Sequence, residues 1–346
     1  MRSNLHVTSG AKKALRWAFS IAMLVAVVLY GRTIDWSSAW AAIRSASIAV
    51  LIVATLANFV TLAAKAVTWW IFLRAVGVPS LSLAVKATVA GAGLNNILVA
   101  NSGDAARVVF VTRASQASSA TVLAALALER LFDLIGYIAL MAAAAFFLPM
   151  PHEVARWRFA AVGVLVGIIV LFGVLLRRSP GIVAATIYPA TVIGRVRTYL
   201  DRFMVSVRSI LTLQRISLAM LLSLVNWAAQ IATYHLVAVA AHFPISIVGS
   251  VTTLITANVG FLVRATPGNV GVFQVVYGVT AQALGLDKAS AVAVALLLQL
   301  IQNLPVTLLA IAIAPDLLLH WRDKRGTATT TEPHHRRESD SSSRAD

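Results

Sequence analysis

Seven ionisable residues, Lys65, Asp104, Arg107, Glu129, Arg130, Asp133 and Arg264, lie within or against long apolar runs. A charge at the centre of a bilayer costs about 2.5–3.5 kcal/mol on insertion scales, so such residues either pair with one another or hold something charged. Four bases against three acids leave this set close to neutral. Asp104 with Arg107, and Arg130 with Asp133, stand three residues apart and could neutralise each other along one helical turn. The competing reading is that the same groups bind a charged substrate.

Two of the apolar stretches, residues 81–107 and 247–286, are interrupted by Gly, Asn, Ser and Pro. The first contains Asn95, Asn96, Asn101, Ser102, Gly103 and Asp104; the second contains Asn258, Arg264, Pro267, Gly268 and Gly271. They read as hairpins of broken helix. A helix broken inside a membrane leaves backbone donors and acceptors that protein, water or ligand must satisfy. Helices restarting after Ser102-Gly103 and Pro267-Gly268 would aim partly positive N-terminal amides at the breaks, which suits phosphate. The alternative is that Asn101 or Ser102 simply caps its own helix, with Asp104 well placed in the first turn. Asn96, Pro267, Gly268 and Gly271 therefore join Asp104, Arg107, Glu129, Arg130, Asp133 and Arg264 as candidate substrate-binding residues.

Each interrupted stretch precedes a long apolar run with polar residues in register. Glu129 and Asp133 stand four apart in one, Gln299 and Asn303 four apart in the other. Counting crossings, the first hairpin enters from the cytoplasm and the second from outside, so an inverted repeat is expected. Discontinuous helices in such repeats mark substrate sites near the midplane.

The elements that carry these residues belong to a chain of 346 residues, 59% hydrophobic and 12% charged, with a mean hydropathy of +0.82. That composition excludes a soluble fold. The runs lack the period-two alternation of a transmembrane barrel. The expected fold is all-α and polytopic, with spanning helices over residues 17–33, 48–76, 119–148, 159–176, 216–241 and 289–314 plus the two hairpins. The N-terminal run resembles a signal peptide, but the cleavage-like Ala39-Trp40-Ala41 lies beyond Arg32 and Asp35, which favours an uncleaved first span.

Arginines crowd residues 177–215, so that connection is expected in the cytoplasm, with both termini on the same side of an inner membrane. Arg32, Arg44, Arg156 and Arg158 fall on the opposite side and go against the bias. Within that connection, about residues 182–213, apolar residues from Val192 to Leu211 recur at helical spacing against Arg197, Arg202 and Arg208. This is an amphipathic helix, lying at the cytoplasmic interface or packed on the bundle. Residues 1–16 read as a basic cytoplasmic arm, 17–315 as the membrane domain and 316–346 as a disordered cytoplasmic tail.

The chain has no cysteine, which excludes disulfides and thiolate chemistry. His235 is the one histidine inside an expected span, and no metal-ligand spacing, nucleophile set or Walker-type loop is present. No cofactor and no enzymatic activity are expected. The net charge of +16 falls beside apolar spans, where it reads as topology signal and anionic-lipid contact rather than nucleic-acid binding.

Three motifs carry a family resemblance: the Asn-rich segment ending Ser102-Gly103-Asp104 with Arg107, Glu129-Arg130 with Asp133, and Pro267-Gly268-Asn269-Val270-Gly271-Val272-Phe273. Over the chain from the first span to Pro315 it resembles the flippase-like family that includes the transmembrane region of lysylphosphatidylglycerol synthase. The resemblance implies a lipid-translocating module, in some members fused to a transferase domain, which is not expected here. Its implied partners are membrane lipids with an anionic or isoprenoid-linked headgroup. Two alternatives stand beside transport. One is an accessory subunit presenting lipid to a separately encoded transferase, and the other an intramembrane enzyme using Glu129 or Asp133 as base on a lipid phosphate. The chain departs from the family at Gln274, where Glu is usual, at Gln299, where Arg is usual, and at Val99, where Pro is usual. If the family's Glu and Arg are partners, this chain exchanges an ion pair for a hydrogen-bonded pair of amides.

Overall fold

The computed structural model describes residues 29–97, 102–115, 117–147, 158–177, 192–260 and 267–328. Among them every regular element is helical. The helices are α1 (Trp36–Arg44), α2 (Ile48–Ala75), α3 (Leu81–Ile97), α4 (Ser102–Ser115), α5 (Ser119–Phe147) and α6 (Arg158–Arg177). They continue with α7 (Val192–Ile210), α8 (Leu213–Ala240), α9 (Ile247–Gly260), a 3-10 turn at Pro267–Asn269, α10 (Val272–Ala283) and α11 (Lys288–Ala328).

Ile48–Ala75, Leu213–Ala240 and Lys288–Ile313 are long and apolar enough to cross a membrane. They are apolar on every side, which in water would leave no face to solvate. On α11, Leu300, Leu304, Leu308 and Ile311 form an exposed stripe at helical spacing, and Ile48, Ile52, Leu56 and Val60 do the same on α2. Continuous apolar stripes of this kind suit a lipid solvent. The 29 residues of α5 match these helices in length but carry Glu129, Arg130 and Asp133 at their centre.

α2 and α8 form the most extensive helix pair. One core cluster gathers Trp69, Phe72, Val122, Leu126, Phe132 and Ile210 between α2, α5 and α7; another gathers Tyr234, Phe273, Tyr277 and Leu298 between α8, α10 and α11. In the first cluster Phe72 and Phe132 meet with ring centroids 5.6 Å apart.

The two interrupted stretches each fold into a pair of antiparallel helices. In the first, Thr88 faces Arg107 and Asn95 faces Gly103 across α3 and α4. The backbones touch at two glycines, since a Cβ on Gly103 would lie 1.8 Å from the Gly91 carbonyl oxygen. In the second, Thr280 donates to Thr256 at 3.0 Å and Gly260 lies against Val276, which pairs α9 with α10. With 17, 14, 14 and 12 residues, these helices are about 18–26 Å long, short of the roughly 30 Å of hydrocarbon.

α11 relates the two pairs. α3 runs antiparallel to it, because Gly93 abuts Ala310 while Asn96 reaches Asn303. α10 is also antiparallel to it, because Gln274 meets Gln299 while Gly278 lies near Val292. It follows that α3 and α9 run toward their breaks in opposite directions, and the two pairs approach the middle of α11 from opposite ends.

Two elements differ from the sequence expectation. The short helix α1 was not foreseen; Asp35 caps it, its carboxylate accepting from the Ser37 and Ser38 amides. Those hydroxyls also donate to Asp35 and hold its carboxyl down to about 2. α11 continues through Pro315 to Ala328, into the segment read as a disordered tail. Proline removes one amide donor and crowds one carbonyl, a local cost that a long helix can absorb. α7 begins at Val192, and residues 182–191 of the expected amphipathic segment lie outside the described residues, as does most of the expected first span. α7 packs on the bundle through Ser206, which donates to Thr121 at 3.2 Å, and through buried Ile210, while Arg202, Met204 and Val205 are exposed.

Candidate functional site

α5 carries its three charges past α4 on one side and α2 and α8 on the other, and each charge finds a partner on a neighbouring helix. Arg107 of α4 is buried, 3% exposed, and its Nη1 lies 2.9 Å from Glu129 Oε2. Its guanidinium stacks over Trp69 at 4.1 Å and donates to Thr88 at 3.2 Å. The missing side chain at Gly91 makes the room, because a Cβ there would lie 2.5 Å from Arg107 Cγ. Arg130 donates to Asp104 at 2.5 Å. Asp133 takes an ion pair from Lys65 of α2 at 3.3 Å and a hydrogen bond from Asn226 of α8 at 2.8 Å.

Pairing along single helices is the weaker part of this arrangement. Asp104 and Arg107 do approach, at 3.8 Å, but the closer partner of each is on α5. Among the described residues Arg130 and Asp133 form no ion pair with each other, and their partners lie on α4 and α2. Side chains one turn apart on α5 point at different neighbours, and a buried charge gains more from a partner across the interface that also excludes water. Arg130 remains the most exposed member of its cluster, at 41% of its side chain against 22% for Asp104, 4% for Arg107 and 2% for Glu129.

The breaks themselves meet. Gly268, at φ 58°, lies against the Asn96 carbonyl oxygen, which would be 3.0 Å from a Cβ there. The Asn96 amide donates to the Asn303 carbonyl at 3.2 Å and to Thr307 at 3.1 Å. The Gln299 amide donates to the Gly268 carbonyl at 2.8 Å. Gln299 and Asn303 flank the middle of the apolar span Lys288–Ile313, so both breaks sit near its centre.

Two amides that would cradle phosphate are already satisfied. The Gly103 amide donates to Asn95 Oδ1 at 2.9 Å, and the Gly271 amide donates to Gln274 Oε1 at 2.6 Å. Capping of α4 therefore comes from Asn95 on the preceding helix. Gln274 also donates through Nε2 to Gln299 Oε1 at 2.5 Å. Gln274 and Gln299 are thus hydrogen-bonded partners, as the sequence suggested. Gly271, at φ 89°, is the N-cap of α10. Pro267 opens the turn beside Gly268, and Arg264 lies outside the described residues.

Sequence reasoning did not single out Trp69, Thr88, Asn95 as a cap, or Asn226. Asn226 was the most findable of these, an amide at the centre of an apolar span, where a polar group needs a partner.

Long helices apolar on all sides, with polar residues at the centres of several, define a polytopic α-helical membrane protein. The chain belongs to the family described as the lysylphosphatidylglycerol synthase TM region, which matches residues 15–310. No curated protein matches the chain.

Proposed function

We propose that this protein is a transporter that moves a lipid with an anionic or isoprenoid-linked headgroup across an inner membrane, without making or breaking a covalent bond. The observation that carries the reading is the meeting of two helix breaks, approached from opposite ends of α11, beside an arginine that is both paired and accessible. α3–α4 and α9–α10 are re-entrant hairpins related as an inverted repeat, and the headgroup is held between their tips. Because the Gly103 and Gly271 amides are taken, Arg130 makes the main contact with phosphate, exchanging Asp104 for the headgroup. Asn96, Gly268 and Gly271 line the same path, while Arg107 and Glu129 hold α4 against α5. Membership of a family concerned with membrane lipids supports the same reading.

Lipids co-purifying in mild detergent test it. Wild-type protein should retain a phosphate-bearing lipid that Arg130→Gln loses while remaining folded. Equal lipid content in both would remove Arg130 from the path.

Both termini and α7 lie on the cytoplasmic side. With no native cysteine, a single cysteine reports this directly. Ser206 is buried and would be a poor probe, whereas Ser209 is exposed. Ser209→Cys should resist an impermeant reagent added to intact cells and react after permeabilisation. Reaction in intact cells would invert the orientation.

A further inference from the structure

The two breaks meet through uncharged side chains, and several of their hydrogen-bonding positions are open. The Asn303 side chain stands at the second break, its Nδ2 3.5 Å from where a Cβ on Gly268 would lie, and among the described residues it makes no hydrogen bond. Asn96 spends its amide hydrogens on the Asn303 carbonyl and the Thr307 hydroxyl, while its Oδ1 accepts from no described residue. Asn95 is the converse, its Oδ1 taking the Gly103 amide at 2.9 Å and its Nδ2 donating to no described residue. The Ser102 hydroxyl, one residue before Gly103, is buried without a partner. Asn95, Asn96 and Asn303 are half-buried, at breaks near the centre of the apolar span Lys288–Ile313. No bulk water makes up a missing hydrogen bond at that depth, so these positions are filled by a ligand or by trapped water.

We propose that the headgroup selected here is a phosphodiester whose outer part carries uncharged hydroxyls, a polyol or a sugar, with the phosphate on Arg130 and the hydroxyls on Asn95, Asn96 and Asn303. The mixture of open groups decides the chemistry. Donors at Asn95 Nδ2 and Asn303 Nδ2 stand with acceptors at Asn96 Oδ1 and Asn303 Oδ1, and the Ser102 hydroxyl is both. A hydroxyl gives one hydrogen bond and takes two, so it matches both kinds. An ammonium only donates and brings a charge to neutral side chains, and a methylated amine neither donates nor accepts. Position agrees with this. Asp104 follows Gly103 directly and holds Arg130, so the amides adjoin the phosphate contact. The inference rests on the reading in which Arg130 takes the phosphate, and it adds what the rest of the headgroup must be.

Retention of matched lipids by the purified full chain in detergent tests the hydroxyl subsite. Phosphatidylglycerol and phosphatidylpropanol with identical acyl chains carry the same charge and differ only in the headgroup hydroxyls; a polyprenyl phosphodiester of a hexose and its propyl counterpart form a second pair. Each pair is offered as an equimolar mixture, and the bound lipid is read by mass spectrometry. Wild-type protein should retain the hydroxylated member of at least one pair about tenfold over the other, the scale of one or two hydrogen bonds. The pair that shows the preference tells a glycerol source from a sugar. Asn303→Leu should bring the ratio near one, and Asn303→Ala serves where the leucine variant does not fold. Arg130→Gln should lower retention of both members together, since it removes a contact to phosphate. Equal retention of both members in both pairs by the wild type overturns the inference and leaves the phosphate contact standing. So does a preference that the Asn303 variants keep. Retention of no member of either pair overturns the transport reading and the inference with it.

Discussion

The two hairpins use one design with different chemistry. In the first, Arg107 on the second helix of the hairpin meets Glu129 on the long helix that follows. In the second, Gln274 on the second helix of the hairpin meets Gln299 on the long helix that follows. One contact is ionic and the other neutral, and the surroundings match. Arg107 is stacked on Trp69 and held by Thr88, whereas the glutamines also bond the Gly271 amide and the Gly268 carbonyl of the break itself. The first half therefore depends on a buried charge staying compensated. The second depends on a chain of hydrogen bonds that fixes the shape of its turn.

The largest effect expected from this comparison is at Glu129. Glu129→Gln keeps the shape but, among the described residues, leaves Arg107 with only Asp104, 3.8 Å away, as counter-charge. Removing one partner of a buried ion pair costs about 3–5 kcal/mol, so this variant should be strongly destabilised in a detergent melting or denaturant experiment. A loss below about 1 kcal/mol, the scale of an exposed pair, would show that the pair is solvated and that the two halves do not differ as described.

Changes at the second pair should be smaller. In Gln274→Glu the carboxylate still accepts from the Gly271 amide, but it faces the Gln299 carbonyl oxygen, so Gln299 must turn and release Gly268. In Gln299→Arg the guanidinium can reach Gly268 but introduces a charge beside a neutral amide. Each single change should cost about 1–3 kcal/mol, the scale of a buried group left unsatisfied. The double variant restores both contacts, since the introduced guanidinium can donate to the introduced carboxylate and to the Gly268 carbonyl together. A thermal cycle over the four proteins should therefore give strong recovery in the double variant. Additive losses would show that the pair is not what shapes the second break.

Much of this arrangement was legible in the residues. The spacing of apolar runs placed α2, α5 and α8 to within a few residues, because helices apolar on every side leave long uninterrupted signals. The partnership of Gln274 and Gln299 was readable from the resemblance, which implies an acid and a base at those two positions. The partners of Asp104, Arg130 and Asp133 were not. Spacing along one helix suggests neighbours on that helix, and only packing brings Lys65 and Asn226 to Asp133. The satisfied amides at Gly103 and Gly271 were equally hidden, since the groups that fill them, Asn95 and Gln274, act through a fold-dependent approach. α1 was missed because its nine residues carry too short a pattern to stand out between two spans.

Lipid movement in reconstituted vesicles tests the central claim most directly. With a headgroup-labelled anionic lipid and an impermeant quencher, wild-type protein should make the inner-leaflet label accessible, and Arg130→Gln, folded and inserted, should not. Undiminished lipid movement by Arg130→Gln, or none by the wild type across anionic and isoprenoid-linked lipids, would contradict the account.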